Sequence, residues 1–333
     1  SMQIKFLSEP SQRVILLLAL LFFTLQAWLF QRSLNGAHSP VLTDFHDYYI
    51  VMGLALDGRA GDAFSWPMLK AEQIAQTGSW AFMSWAYPPP FTMLLAPLGL
   101  LPIGLAYFVF TASSWLLFQS ALWRLVGKAT APALFITLPA LLINAKCGQN
   151  GFLIAGIIGW SLVAIRERSS TTGWWLGAMI IKPHLAAGIG LLALFERQWG
   201  AVWRAALAAS LLCITATLAF GLPIWTAFQT GTATTSAALW EGLFPLERMT
   251  SVFAALNRFG LQPGFALTIH VISVVAFVSA FIVAAKARLD RDLFLAMGAC
   301  VTLLIGPYNY DYDMVTLTLP IGLMLPYFVA RAK

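Results

Sequence analysis

Charge is what this chain has least of. Only 10% of its 333 residues are Asp, Glu, Lys or Arg, against about a quarter in an ordinary soluble domain. That scarcity excludes a water-wetted globule. The three cysteines, Cys147, Cys213 and Cys300, stand far apart with no ligand-type spacing, which excludes a disulfide framework and a thiolate metal site. No low-complexity tract interrupts the sequence and no half of it repeats the other.

What is present is apolar. Hydrophobic residues make up 59% of the chain, with 13 Trp and 24 Phe, and the mean hydropathy is +0.76. The composition is that of an all-α polytopic membrane protein. Apolar runs with membrane reach fall at 14–30, 103–123, 130–146, 151–165, 201–220, 264–285, 293–306 and 314–330. A further run, 173–195, is broken at its centre by Lys182-Pro183-His184 and reads as a helix pair that enters and returns. The count predicts ten segments in one integral-membrane domain, 1–333. The first run follows a weakly basic lead and precedes no small-residue cleavage site, so it is expected to stay as a helix.

The few charges are unevenly placed. Under this threading Lys5, Arg13, Arg124, Lys128, Arg166, Arg168, Arg197, Arg204, Lys286, Arg288, Arg291, Arg331 and Lys333 share one side, 13 of the 20 basic residues, with five of the 14 acidic ones. The positive-inside rule makes that side cytoplasmic, with both termini on it. The net charge of +6 then needs no nucleic-acid partner. Tyr87-Pro88-Pro89-Pro90 opens a short apolar segment ending near Pro102, read as re-entrant or half-depth because a full span would move the arginine clusters outside.

The remaining polar residues gather on the other side. A first outer loop, 31–87, carries Ser39-Pro40-Val41-Leu42-Thr43-Asp44-Phe45-His46-Asp47-Tyr48-Tyr49, two carboxylates, an imidazole and two phenols in six positions. Were a helix to start at Thr43 or Asp44, then Asp44, Asp47 and Tyr48 would share a face. The same pattern also describes a helix N-terminus, with one acid capping and the other favouring the dipole. Tyr48 to Leu56 suits an interfacial helix, Met68 to Gln76 a second short one, and Trp66, Trp80 and Trp85 interfacial anchors. Gly148-Gln149-Asn150, Lys182-Pro183-His184 and Pro307-Tyr308-Asn309-Tyr310-Asp311-Tyr312-Asp313 fall at outer turns, and a second outer loop, 221–263, adds Glu241, Glu247, Arg248, Asn257 and Arg258. The Gly-Gln-Asn and Pro-Tyr-Asn stretches are also plain turn chemistry. Lys182, between Ile181 and Pro183, cannot easily snorkel and wants an anion.

An aspartate after the first helix, Tyr87-Pro88-Pro89 opening the next apolar segment, Gly148-Gln149-Asn150 between two helices and Lys182-Pro183-His184 before a basic turn together resemble glycosyltransferase family 87. The likeness is clearest from Val14 to about Trp199. It implies the helical fold of the C superfamily of membrane glycosyltransferases, in a bacterial-type plasma (inner) membrane. It also implies transfer of a sugar, mannose in mycobacterial members, from a polyprenyl-phosphate donor to a lipid or glycolipid acceptor. Asp44 matches the acid taken as catalytic base. Lys182, His184 and Arg258 are then the candidates for the donor phosphate, and Asp47, Tyr87, Gln149, Asn150, Tyr308, Asn309 and Asp311 for sugar and acceptor. No cofactor and no obligatory metal are expected, although a divalent ion bridging Asp44, Asp47 and phosphate is chemically open. The alternative from another class is a transporter or lipid flippase, since broken helices with polar breaks build transport sites.

Overall fold

The computed structural model describes residues 4–35, 42–287 and 289–331. Ser39, Pro40, Val41, Arg288, Lys333 and the side chain of Lys5, which enter the sequence reading, lie outside what is described. Among the described residues the structure is helical, and its one strand-like pairing is an isolated antiparallel bridge between Met249 and Tyr310.

The chain opens with α1 (Ile4–Ser8) and α2 (Pro10–Asn35), whose Leu17, Leu18 and Leu21 point outward. Such a face is stable only against lipid. Three shorter helices follow, α3 (Asp44–Leu56), α4 (Trp66–Thr77) and α5 (Pro89–Leu95). Next come α6 (Ile103–Val126), α7 (Thr130–Ile136), α8 (Leu138–Cys147) and α9 (Gly151–Arg166). Phe23 of α2, Trp115 and Phe118 of α6 and Phe152 of α9 interlock as one aromatic cluster, with ring centroids 5.0–6.0 Å apart. That cluster ties the early helices together.

The broken run appears where the sequence puts it. Helix α10 (Thr172–Ala178) ends in a short 3-10 turn, Lys182 and Pro183 interrupt it, and α11 (Ala187–Phe195) resumes. Gly173 and Gly177, four apart, face α12 (Trp199–Phe220) so closely that a Cβ on Gly173 would lie 2.4 Å from the Ala201 carbonyl and one on Gly177 2.5 Å from Ala208 Cβ. This is the small-residue packing that lets helices approach in lipid, where no hydrophobic force drives them together. The chain ends with α13 (Pro223–Trp240), α14 (Val252–Arg258), α15 (Pro263–Lys286), α16 (Arg291–Ile305) and α17 (Thr318–Arg331).

Five helical stretches are long and apolar enough to cross a membrane, Pro10–Ser33, Ile103–Ile136, Trp199–Phe220, Pro263–Lys286 and Asp311–Arg331. The protein is therefore a polytopic, all-α membrane protein, and among the described residues five of the ten segments expected, short and broken ones included, have the length of a full span. The other apolar runs are 10–17 residues long, short of the ~20 a span requires. The run at 130–146 illustrates the reason, because α7 continues the line of α6 and Pro139 then starts the separate α8. The segment after Tyr87 is likewise short, Pro89–Leu100.

One loop expectation gains detail and one, at Trp85, changes. Residues 221–263 hold the 18-residue α13, begun by Pro223 at its first position, where proline's missing N–H costs nothing. Gly231 of α13 packs against Phe64, so the two presumed loops dock on each other. Trp85 is not an anchor but core, 2% exposed, in contact with the rings of Tyr48, Tyr87 and Phe91 and donating to Thr92 Oγ1 at 3.0 Å. Trp80 stays exposed, with Lys70 Nζ 3.6 Å above its ring.

Helices α9 and α16 separate two polar ends. At one, Arg166 donates to the carbonyls of Leu125 and Arg124, Arg291 to that of Ile165, and Arg168 and Arg291 share Glu196. The basic turns read as one side thus do meet. About 24 Å away along α9, the opposite end begins beside Gln149, and α16 finishes beside Asn309, whose Nδ2 donates to the Leu303 carbonyl.

Candidate active site

Helix α3 does start at Asp44, but Asp44 is not its cap. Thr43 is the capping residue, with extended backbone, and His46 Nδ1 accepts from the Thr43 N–H at 3.2 Å. Ser33 spends its hydroxyl hydrogen on the Phe30 carbonyl and sits 2.8 Å from His46 Nε2, so that nitrogen must be the donor. The imidazole is neutral, held by burial down at about 4. Its work is to fasten α3 to α2.

With the cap supplied by others, Asp44 is free to face across the fold. Gln149 Nε2 donates to its Oδ1 at 2.8 Å, and Arg248 stands 3.8 Å from Oδ2. Gln149 reaches it because Gly148 turns left-handed at φ +68 after α8, with its ideal Cβ position only 2.5 Å from Phe45 Cβ. Any side chain there would push the turn off α3. Burial lifts the Asp44 carboxyl above the ordinary range, opposed by the Gln149 bond and the Arg248 charge. Arg248 itself grips Asp311 with two bonds of 3.1 Å, and its segment is pinned by the Met249–Tyr310 bridge and by Thr250 N–H to the Asn309 carbonyl at 2.8 Å.

Asp47, one turn on, accepts from Gln73 Nε2 of α4 at 2.9 Å, and Gln73 Oε1 accepts from the Ala81 N–H. Burial pushes Asp47 up to about 7, with the neighbouring Asp44 charge adding to it and the Gln73 bond opposing. A raised carboxyl is harmless while protonated. Folded stability is therefore expected to fall as pH rises from the unfolded value near 3.9 through about 7 and to level off above, by at most about 4 kcal/mol. Asp47→Asn, which can still accept from Gln73, should flatten that dependence. Melting curves in detergent between pH 5 and 8 check it, and an equally steep fall in the variant would assign the effect to another group.

Lys182 has found its anion inside the chain. Its ammonium donates to Asp313 Oδ1 at 2.5 Å, while Asp313 Oδ2 caps the Tyr310 N–H at 3.0 Å. His184 stacks edge-on with Tyr308, centroids 5.2 Å apart, and its Nε2 is buried with no hydrogen-bond partner among the described residues.

These groups line one cavity of about 830 Å³. Its polar end holds Asp44, Asp47, Tyr87, Gln149, Lys182, His184, Arg248, Tyr308 and Asp313, and its flank is apolar, with Phe82, Phe228, Trp240, Leu243, Phe244 and Phe253. Of the residues singled out from sequence, seven meet here. Asp311 stands behind Arg248 and not on the wall. Asn150 and Asn309 are buried beside the site without lining it. Arg258 is exposed at the end of α14, outside the cavity.

Arg248 and Asp313, expected on this face, are the two to which the sequence alone assigned no role. Asp313 had a signal, a second acid two positions past Asp311, but nothing linear links it to Lys182, 131 residues earlier. Arg248 was one of several polar residues in the second outer loop, and nothing linear links it to Asp44 or Asp311 until the bridge from Met249 to Tyr310 is seen. No group of three or more His, Cys, Asp or Glu with the geometry to hold a metal ion occurs among the described residues.

The sequence model of glycosyltransferase family 87 matches residues 85–307, more than half of the chain. The comparisons with curated proteins and with solved structures return no match. The matched stretch takes in Tyr87, Gly148-Gln149-Asn150, Lys182-Pro183-His184 and Arg248, and it runs well past Trp199. It starts after Asp44 and stops before Asp311.

Proposed function

The chain belongs to glycosyltransferase family 87, and from that premise we propose that it moves a sugar, mannose by family resemblance, from a polyprenyl-phosphate donor to a lipid or glycolipid acceptor. Membership sets the transporter alternative aside. One observation carries the reading: Asp44, outside the matched stretch, is hydrogen-bonded to Gln149, inside it, at the polar end of a cavity whose flank is apolar.

The chemistry assigned to these groups is an inverting displacement. Asp44 takes the proton of the acceptor hydroxyl as that oxygen bonds to the anomeric carbon, and the bond from that carbon to the phosphate oxygen breaks, releasing polyprenyl phosphate. The departing phosphate is held by Arg248, with Lys182 and His184 beside it, groups aimed where charge grows. Arg248 takes the place that the sequence reading gave to Arg258. Asp47, Tyr87 and Tyr308 read the hydroxyls of sugar and acceptor, and the prenyl chain lies along Phe82, Phe228, Trp240 and Phe244.

The outward, extracytoplasmic orientation is supported by the arginine cluster at the far end of α9. An outward site has no access to cytoplasmic nucleotide sugars, which favours a lipid-linked donor. The test uses purified protein in liposomes, radiolabelled polyprenyl-phosphate mannose and a membrane-lipid extract. Label should appear in a new lipid product of inverted anomeric configuration, and none should come from a labelled nucleotide sugar. Transfer from the nucleotide sugar would overturn the donor assignment.

A further inference from the structure

We infer that Gln149 is the positioning residue for Asp44 and not a contact for the sugar, an inference that rests on Asp44 being the base. The two ends of its amide are not interchangeable. Around Oε1 stand the Tyr48 hydroxyl at 2.6 Å, the Asn150 N–H at 3.1 Å and the Tyr87 hydroxyl at 3.2 Å. The Asn150 N–H can only donate, so the atom facing it must be the carbonyl oxygen. Tyr48 has one hydrogen, and at 2.6 Å it goes to the same oxygen. The amide is thereby locked, and its NH2 has to point at Asp44 Oδ1, 2.8 Å away.

This lock has two consequences for the carboxylate. A donor fixed on Oδ1 stabilises the ionised form against the burial that raises its pKa. It also orients the group, engaging Oδ1 and leaving Oδ2 as the basic atom on the side where Arg248 stands. The elements that hold the lock come from three places, α3 through Tyr48, the Tyr87-Pro88 turn, and the start of α9 through Asn150. The charged and titratable groups facing Asp44 from these and the adjoining elements are Arg248, Asp311, Asp47, Tyr48, Tyr87, Cys147, Tyr310 and Tyr312. Among the described residues, no other side chain donates a hydrogen bond to the Asp44 carboxylate.

Gln149→Met removes both ends of the amide. Gln149→Glu keeps an oxygen for Tyr48 and Asn150, so the turn stays built, and loses only the donor to Asp44. Both should lower kcat about 10- to 100-fold near neutral pH, leave the donor KM within about twofold, and move the ascending limb of the pH–rate profile to higher pH. The sign follows from losing a bond to the charged form, and the added charge of Glu acts in the same direction. A raised donor KM with an unmoved pH profile would make Gln149 a sugar contact and overturn the inference. Unchanged kcat and profile in folded Gln149→Glu would overturn it as well. Asp44→Asn, assayed alongside, separates the two layers. Near-normal turnover there removes the base itself, and with it this role, whereas an inactive Asp44→Asn beside a fully active Gln149→Glu removes only the role of Gln149.

Discussion

Asp44→Asn is expected to keep its fold and its donor binding and to lose turnover by at least ~10²-fold, the scale for removing a general base. The structure makes this a clean substitution. Thr43 and His46 close the first turn of α3, so no cap is lost. An asparagine oxygen still accepts from Gln149, and Arg248 keeps both of its bonds to Asp311. A change in stability of no more than about 1 kcal/mol should accompany the loss of rate. In the wild type, kcat should rise with pH through a carboxyl displaced above its ordinary range, because burial disfavours the ionised base. Single-turnover transfer from labelled donor across pH 4 to 9 measures both. Near-wild-type transfer by Asp44→Asn, with transfer lost in Asp47→Asn or Asp311→Asn, would move the base to whichever of those is inactive.

The second large effect is expected at Lys182 and Asp313. Both side chains are nearly fully buried and 2.5 Å apart. Removing either partner strands a charge, at a cost of about 3–5 kcal/mol. Lys182→Met and Asp313→Leu should each unfold at markedly lower temperature in detergent, and the double variant should recover most of the loss, since replacing a buried ion pair by apolar side chains is often neutral. The double variant also separates stability from phosphate binding. With folding restored, a donor KM raised by about tenfold or more is the expected sign of Lys182 on the phosphate, and wild-type kinetics would make the pair purely structural.

Much of this was legible in the sequence because it follows from composition and local pattern. Few charges and long apolar runs require lipid, a proline after Lys182 breaks a helix, and Thr43 before Asp44 starts one. The arginine turns could be assigned to one end because alternating spans return them there. Local pattern also marked Asp44, Gln149, Lys182 and His184 as unusual.

Partner choice was not legible, and it decides what those residues do. A lone lysine among isoleucines looks like a phosphate ligand until Asp313 is found beside it, and Asp44 looks like a cap until Gln149 is found across 105 residues. Arg248 stood out no more than the other polar residues of its loop. The sequence by itself determined that the chain lies in a membrane, is helical and breaks its helices at polar points, since each of these depends on neighbours along the chain. Only the tertiary structure decided which acid meets which cation, because those contacts join α3, the turn before α9, the break at Lys182 and the Tyr310–Asp313 turn, segments that hydrophobic periodicity places but does not pair.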